Sequence, residues 1–430
     1  MWIIFCKIIQ SILGLVVNML SARYLGPSNY GLISYAASIT AFVLPIVQLG
    51  FRSTLVNEIV ETPEKEGEIL GTALFFNVLS SFACMVGVCG FVYVANPNEP
   101  VTFFVCALYC ISLFMQALEM VSYWFQAKMI SQYTSLTGLV AYVVATAYKI
   151  CLLVAQKNIY WFAVSYALDY FIIAVILFCF YHKLNKQRLL VSFKRFRAMF
   201  SKSKYFIVSS MMVTIFAQTD KIMLKGMLSE RVVGIYSAAI TCAGLTSFVF
   251  SAIIDSFRPT IFEHKKTSQE AYKKNIISCY SVVIYLSLAQ SLVCSVFSNW
   301  IILFLYGAEY AESASVLALV VWYTTFSYLG PIRNIWMLAE NKQKYLWIIN
   351  FSGAVANVAL NAILIPYMGV MGAALASLIT QVFTNVIIGF IMKPIRYNNL
   401  LMLKGCNPKP LLQFCKKAIL KITKRQSHSV

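Results

Sequence analysis

Apolar stretches close to the length that crosses a hydrocarbon layer recur from one end of the chain to the other, and no other feature restricts the fold as strongly. About twelve can be drawn, with approximate limits 2–22, 30–50, 69–94, 100–122, 134–156, 159–181, 205–227, 232–256, 276–298, 314–338, 345–366 and 370–392. Within hydrocarbon every backbone N–H and C=O needs an internal partner, which leaves α-helices or closed β-barrels. Barrel strands alternate apolar and polar residues over short segments, and these runs do not. The expectation is an all-α membrane protein. Composition agrees: 60% of residues are hydrophobic, 12% are charged and the mean hydropathy is +0.74, well beyond the usual apolar share of soluble domains.

Charge orients the helices. The connections that follow even-numbered spans hold 28 of the 35 Lys and Arg residues. The opposite connections hold Arg23, Lys157, Lys225 and Arg231, and Lys7, Lys149 and Lys221 lie within spans. The positive-inside bias therefore puts both termini in the cytoplasm, as an even span count requires.

The two halves also share phrases. Leu25-Gly-Pro-Ser-Asn-Tyr-Gly31-Leu-Ile-Ser34 is echoed by Leu228-Ser-Glu-Arg-Val-Val-Gly234-Ile-Tyr-Ser237 at a constant offset of 203, and Phe51-Arg52 by Phe257-Arg258 at 206. The slip between the two offsets is roughly one helical turn. Duplication with six helices per half implies parallel repeats around a central cavity, an arrangement that lets two halves rock about a site. The expected organisation is a six-helix bundle over 1–182, a basic cytoplasmic linker over 183–204, a second bundle over 205–392 and a basic tail over 393–430. In that tail Leu411, Leu412, Cys415, Ile419 and Ile422 fall opposite Lys417, Lys421 and Lys424, the pattern of an interfacial helix.

Several functions are set aside on chemistry. The net charge of +19 is scattered over cytoplasmic turns and tail, where an anionic leaflet accounts for it, so nucleic acid is not the expected partner. The twelve cysteines sit mostly in apolar spans without paired spacing, and the three histidines, His182, His264 and His428, lie outside them; no metal centre and no cofactor is expected. Neither a phosphate-cradling Gly-rich loop, a nucleophile elbow nor a zinc-binding helix is present, and the chain reads as a non-enzyme. Tyr24-Leu-Gly-Pro is not a small-residue cleavage site, so the first apolar run is kept as a span.

The charges that a bilayer discourages remain. Lys7, Lys149, Asp169, Asp220 and Lys221 fall within spans, and Arg52, Glu119, Asp255, Arg258 and Arg333 near span ends. An ion at the hydrocarbon centre costs about 3 kcal/mol on the lenient insertion scale, so the interior ones should face water or a partner. Lys7 is close enough to the end of its span to snorkel, whereas Lys149 is deeper and favours a cavity. Arg52 and Arg258 either anchor helix ends or perform matched tasks. Asp169 and Asp220 either balance lysines or bind a transported ion. Trp124, Trp161 and Trp322 suit belt or packing positions, and Gly372 with Ala376 suits a close helix contact.

Ala22-Arg-Tyr-Leu-Gly-Pro-Ser-Asn-Tyr-Gly31 resembles the opening signature of the polysaccharide, or Wzx-type, flippases of the multidrug/oligosaccharidyl-lipid/polysaccharide exporter superfamily. Gly67-Glu-Ile-Leu-Gly-Thr-Ala73, Trp124-Phe-Gln-Ala-Lys128, Thr219-Asp-Lys-Ile-Met-Leu224 with Gly234-Ile-Tyr-Ser-Ala-Ala239, and Ile365-Pro with Gly369-Val-Met-Gly-Ala-Ala374 extend the resemblance over nearly the whole chain. It departs at the start, where one residue precedes the first apolar run.

The resemblance implies a carrier in a bacterial inner membrane that moves undecaprenyl-diphosphate-linked oligosaccharide, of O-antigen, capsule or exopolysaccharide type, to the periplasmic leaflet. It implies ion-coupled alternating access driven by a proton or sodium ion, and a glycan polymerase and chain-length regulator as partners. By the same resemblance the lipid-linked head group falls to cationic residues, here Arg52, Lys149, Lys221, Arg258 and Lys7, and ion coupling to Asp220 or Asp169. Two alternatives stand. A multidrug-type cation antiporter of the same superfamily calls for an anionic or apolar cavity, and a membrane glycan polymerase calls for a large outward loop carrying Arg or acidic groups. The longest expected outward loop, about 299–313, holds Glu309 and Glu312 and no Lys or Arg.

Overall fold

The computed structural model of the chain describes residues 2–185 and 187–409, with side chains described at Gln10 and from Leu13 onward except Ser53. The Lys7 side chain and the expected interfacial helix at 411–425 lie outside the described residues. Among the described residues the regular structure is helical throughout, with no β-strand. Ten stretches of the described residues are long and apolar enough to cross a membrane, and an eleventh forms if two helices bent by 42° at their junction are taken as one. The chain is a multi-pass membrane protein.

One compact unit comprises residues 1–237 with 305–309. Its first helix, α1 (Trp2–Val47), holds the first two expected crossings as arms on either side of Gly26, whose φ of 71° and ψ of 170° are not helical. A residue before proline is pushed off helical geometry, and glycine alone accepts the positive φ without a Cβ clash. Gly26-Pro27 therefore makes a kink rather than a loop, which is why fewer stretches are counted than the twelve runs expected. Asn29 Nδ2 donates to the Leu25 carbonyl at 3.1 Å, occupying an acceptor at the break.

The unit continues through α2 (Leu55–Glu61), α3 (Glu66–Ala95), α4 (Pro100–Leu118), α5 (Ser122–Ala127), α6 (Ser131–Val154), α7 (Ile159–Leu184) and α8 (Phe193–Met227). Helix α4 packs on α3 and α7, α6 on α7, and α8 along α1. Phe51, Trp124, Phe125, Tyr181 and Met199 form an aromatic-rich core. Residues 193–204, expected as linker, are the first turns of α8: Ser192 Oγ accepts from the Arg195 N–H at 3.3 Å, and the Phe196 ring stacks on Phe76. The N-cap and the stacked rings outweigh the high local charge.

The repeated phrases meet inside this unit. A Cβ on Gly31 would collide with the carbonyl of Glu230, at the start of α9 (Glu230–Ala243), and one on Gly234 with the carbonyl of Pro27. Shifting 27 and 31 by the repeat offset of 203 gives 230 and 234. The two copies thus pack reciprocally, as self-complementary patches do about a local twofold.

The second unit comprises 238–304 and residues from 310 onward. It holds α10 (Ser247–Thr267) and α11 (Gln269–Val296); α12 (Ser298–Tyr306) makes helical much of the expected outward loop. Then come α13 (Ser313–Ser327), α14 (Leu329–Ala339), α15 (Leu346–Met368), α16 (Val370–Val382), a π-helical turn at Phe383–Ile387, α17 (Ile388–Ile391) and α18 (Arg396–Gly405). Phe250, Phe257, Ile261, Tyr272, Ile276 and Trp336 build its core. Gly372 lets α16 lie against the Leu364 carbonyl, and Ala376 is fully buried one turn on. In both units large apolar side chains stay exposed along the long helices, such as Phe75, Leu79 and Val86 on α3 and Leu292 and Val296 on α11, as contact with lipid requires.

Candidate functional site

Both arms of α1 combine with α6 and α7 to enclose a cavity of about 310 Å³ within the first unit. On α6, Tyr142, Thr146 and Lys149 recur at intervals of three and four residues, so one helix face presents all three. Tyr166 and Asp169 do the same on α7, three residues apart. From α1, Asn18 Nδ2 donates to the Tyr30 hydroxyl at 3.2 Å, tying the two arms together across the kink. Gly14 carries no Cβ because the Tyr142 hydroxyl occupies that space.

Among the described residues, the cavity is lined by one cation and one carboxylate. Lys149 Nζ lies 4.1 Å from the centroid of the Tyr166 ring, a contact worth about 0.5–2 kcal/mol. Asp169 is the charged group that acts on it, but the two form no ion pair among the described residues. Asp169 Oδ1 and Ser21 Oγ are buried, and neither has a hydrogen-bond partner among the described residues. A buried acceptor left without a donor costs about 1–3 kcal/mol, so proton or cation binding at Asp169 relieves a real penalty. An ammonium held by a ring face, in turn, is free to exchange that contact for a stronger charge-assisted bond to an anion.

The other residues expected at the site lie elsewhere. Arg52 is exposed in the short turn Phe51–Ser53, where it acts on Glu119 and hydrogen-bonds Tyr123. Its repeat counterpart Arg258 is exposed in the second unit, 3.1 Å from Asp255 one turn earlier on α10. Lys221 is half-buried on α8 with Asp220 as its charged neighbour. Asp220 is buried, and its carboxylate accepts a hydrogen bond from the Tyr236 hydroxyl of α9. The structure therefore joins Lys149 with Asp169 and leaves Arg52, Lys221, Asp220 and Arg258 outside that cavity.

The partners of two buried cations escaped the sequence reading. Lys225, counted there among the outward connections, is a buried residue in the last turn of α8, 2.7 Å from Glu99 and 3.0 Å from Glu230. Thr102 also donates to Glu99 at 2.7 Å. Burial pushes the Glu99 carboxyl up, but the hydrogen bonds from Lys225 and Thr102 outweigh it and hold the group below its ordinary value. The only signal in the sequence was an acidic residue on each of two short connections. In the second unit buried Arg333 donates to the Thr384 carbonyl at 2.7 Å, an acceptor in the π-helical turn. A π-turn shifts the backbone ladder and leaves carbonyls to be satisfied from outside, and sequence periodicity gives no notice of one.

A model of the family described as polysaccharide biosynthesis protein matches residues 1–265. The probable low-salt glycan biosynthesis flippase Agl15 of Haloferax volcanii is 24% identical over 197 residues, which is 46% of this chain and 42% of that protein. The match thus spans less than half of that relative. Among solved structures, the lipid II flippase MurJ in an inward closed conformation has a TM-score of 0.73 at 15% identity, covering 93% of this chain and 90% of that one. An inward-facing multidrug resistance MATE transporter of the MOP superfamily has a TM-score of 0.68 at 11% identity, covering 92% and 96%. At such identities these two likenesses concern the fold alone.

Proposed function

The chain belongs to the polysaccharide biosynthesis protein family, and from that premise we propose that it is a flippase for undecaprenyl-diphosphate-linked oligosaccharide, of O-antigen, capsule or exopolysaccharide type, in a bacterial inner membrane. The observation that carries this reading is Lys149, a membrane-embedded ammonium facing a cavity with a ring face, not a carboxylate, as its nearest support. A diphosphate is strongly hydrated, and moving it through hydrocarbon is prohibitive unless fixed charge replaces its water. Lys149 supplies that charge while the polyprenyl tail remains in lipid. Transport then proceeds by alternating access, the cavity opening to one side and then the other. Asp169 is the first candidate to couple a proton or sodium ion, because its Oδ1 has no partner among the described residues; Asp220 is the second. Arg52, Lys221 and Arg258, outside this cavity, and Lys7, whose side chain lies outside the described residues, remain candidates for guiding the head group.

The carboxylate of Asp169 also favours a second reading, export of a hydrophobic cation. Reconstitution into vesicles separates the two. With a sodium or proton gradient, the flippase moves a fluorescent undecaprenyl-diphosphate glycan between leaflets and leaves a lipophilic cation such as rhodamine where it is. Cation export without glycan movement would overturn the proposal.

A further inference from the structure

Away from the charged cavity, the second unit carries a hollow of about 610 Å³ between α11 and α18. That volume lies within the roughly 300–1,000 Å³ typical of small-molecule sites. Ile277, Leu400 and Leu403 form its apolar side, and Lys404, Asn407 and Lys409 its polar side. Leu400 and Leu403 are 45% and 50% exposed, with Tyr397 at 42% beside them, so one face of α18 presents apolar surface that no other described residue covers. The helix and the residues just after it are anchored on α11: Tyr280 donates to Asn398 at 3.1 Å, Tyr285 to the Cys406 carbonyl at 2.6 Å, and Ser281 to the Asn407 carbonyl at 3.3 Å. The hollow is consequently preformed.

Its charge has one sign. Residues 393–409 contain Lys393, Arg396, Lys404 and Lys409 and no acidic residue, and Lys273 lies 5.8 Å from the Tyr397 ring centroid at the rim. Its depth is also defined, since Ile276 and Ile277 open the apolar run of α11 directly after Lys273, Lys274 and Asn275. A hollow at the start of a span, cationic toward water and apolar toward lipid, complements an amphiphile with a phosphate at one end and hydrocarbon at the other.

We propose that this hollow is a binding site for one anionic glycerophospholipid of the surrounding membrane. The phosphate lies between Lys404 and Lys409, and an acyl chain runs along Ile277, Leu400 and Leu403. The site is separate from the transported substrate and does not depend on its identity.

Native mass spectrometry of the detergent-purified full chain, titrated with phosphatidylglycerol or phosphatidylcholine, tests this. One phosphatidylglycerol is expected to be retained in preference to phosphatidylcholine, and glycerol phosphate alone is not expected to displace it. Replacing Lys404 and Lys409 together by Ala is expected to weaken phosphatidylglycerol retention on the order of thirtyfold, from the contribution of two near-surface lysines, with phosphatidylcholine unchanged. Equal retention of the two lipids, displacement by glycerol phosphate or an unaffected double variant overturns the proposal. If the double variant does not fold, a phosphatidylglycerol with a photoreactive acyl chain decides it on the unmodified protein in phosphatidylcholine nanodiscs. Crosslinks within 273–285 and 393–409 support the site, and crosslinks confined to other helices overturn it.

Discussion

The proposed function rests on two residues, Lys149 and Asp169, the two charges that line the cavity in the first unit. Exchanging Lys149 for Met keeps most of the volume and removes the charge, so glycan translocation is expected to fall about tenfold to a hundredfold, the equivalent of one charged hydrogen bond, with membrane insertion intact. Surface glycan together with the amount of protein in the membrane fraction reads this out, and unchanged glycan removes Lys149 from the mechanism. Asp169→Asn preserves shape but cannot hold a proton or an ion. Gradient-driven movement in vesicles is expected to collapse to the gradient-free rate while binding of the lipid-linked glycan persists, and retained coupling shifts the task to Asp220. Both residues were visible in the sequence as charges in apolar runs, because the cost of burying an ion does not depend on the fold. Their sharing of one cavity was not visible, since the phase of α6 against α7 is set by packing.

At the scale of elements, the reciprocal crossing of the repeated glycines makes the sharpest demand. Gly31→Ala or Gly234→Ala drives a methyl into a backbone carbonyl, and overpacking of that kind costs about 1–3 kcal/mol. Each variant is expected to melt several degrees lower in detergent. Gly87 of α3 is the control, because apart from its own helix backbone nothing lies within 4 Å of the Cβ position and Ala there is expected to be neutral or slightly stabilising. A second device ties the connection between α3 and α4 to the end of α8 through Glu99 and Lys225. Glu99 titrates below its ordinary value in the folded chain, so its share of stability is complete above pH 4.5, the ordinary value, and drains away as the pH falls below that through the folded value. Melting curves of Glu99→Gln and the unmodified chain are therefore expected to converge in acid and to separate near neutrality. Equal separation at every pH rejects this pair as the cause.

For the whole molecule, the distribution of lysine and arginine predicts a cytoplasmic position for the connection between α7 and α8. A cysteine placed at Leu190, an exposed position, is expected to react with impermeant maleimide only after the membrane is opened; labelling of intact cells reverses the topology. By itself the sequence determined the solvent, the helical class, the duplication and the family resemblance. The first two follow from local composition, the duplication from a comparison of the chain with itself and the resemblance from short motifs, and none of these needs contacts between distant residues. Tertiary structure alone decided that Gly26 joins two expected spans through a kink, that residues 193–204 belong to α8, and that Lys225 is buried between two glutamates. The same holds for which of the six candidate charges with described side chains share a cavity. These outcomes depend on helix phase and on partners far apart in sequence, where a shift of one residue turns a side chain by about 100° and sends it to a different neighbour.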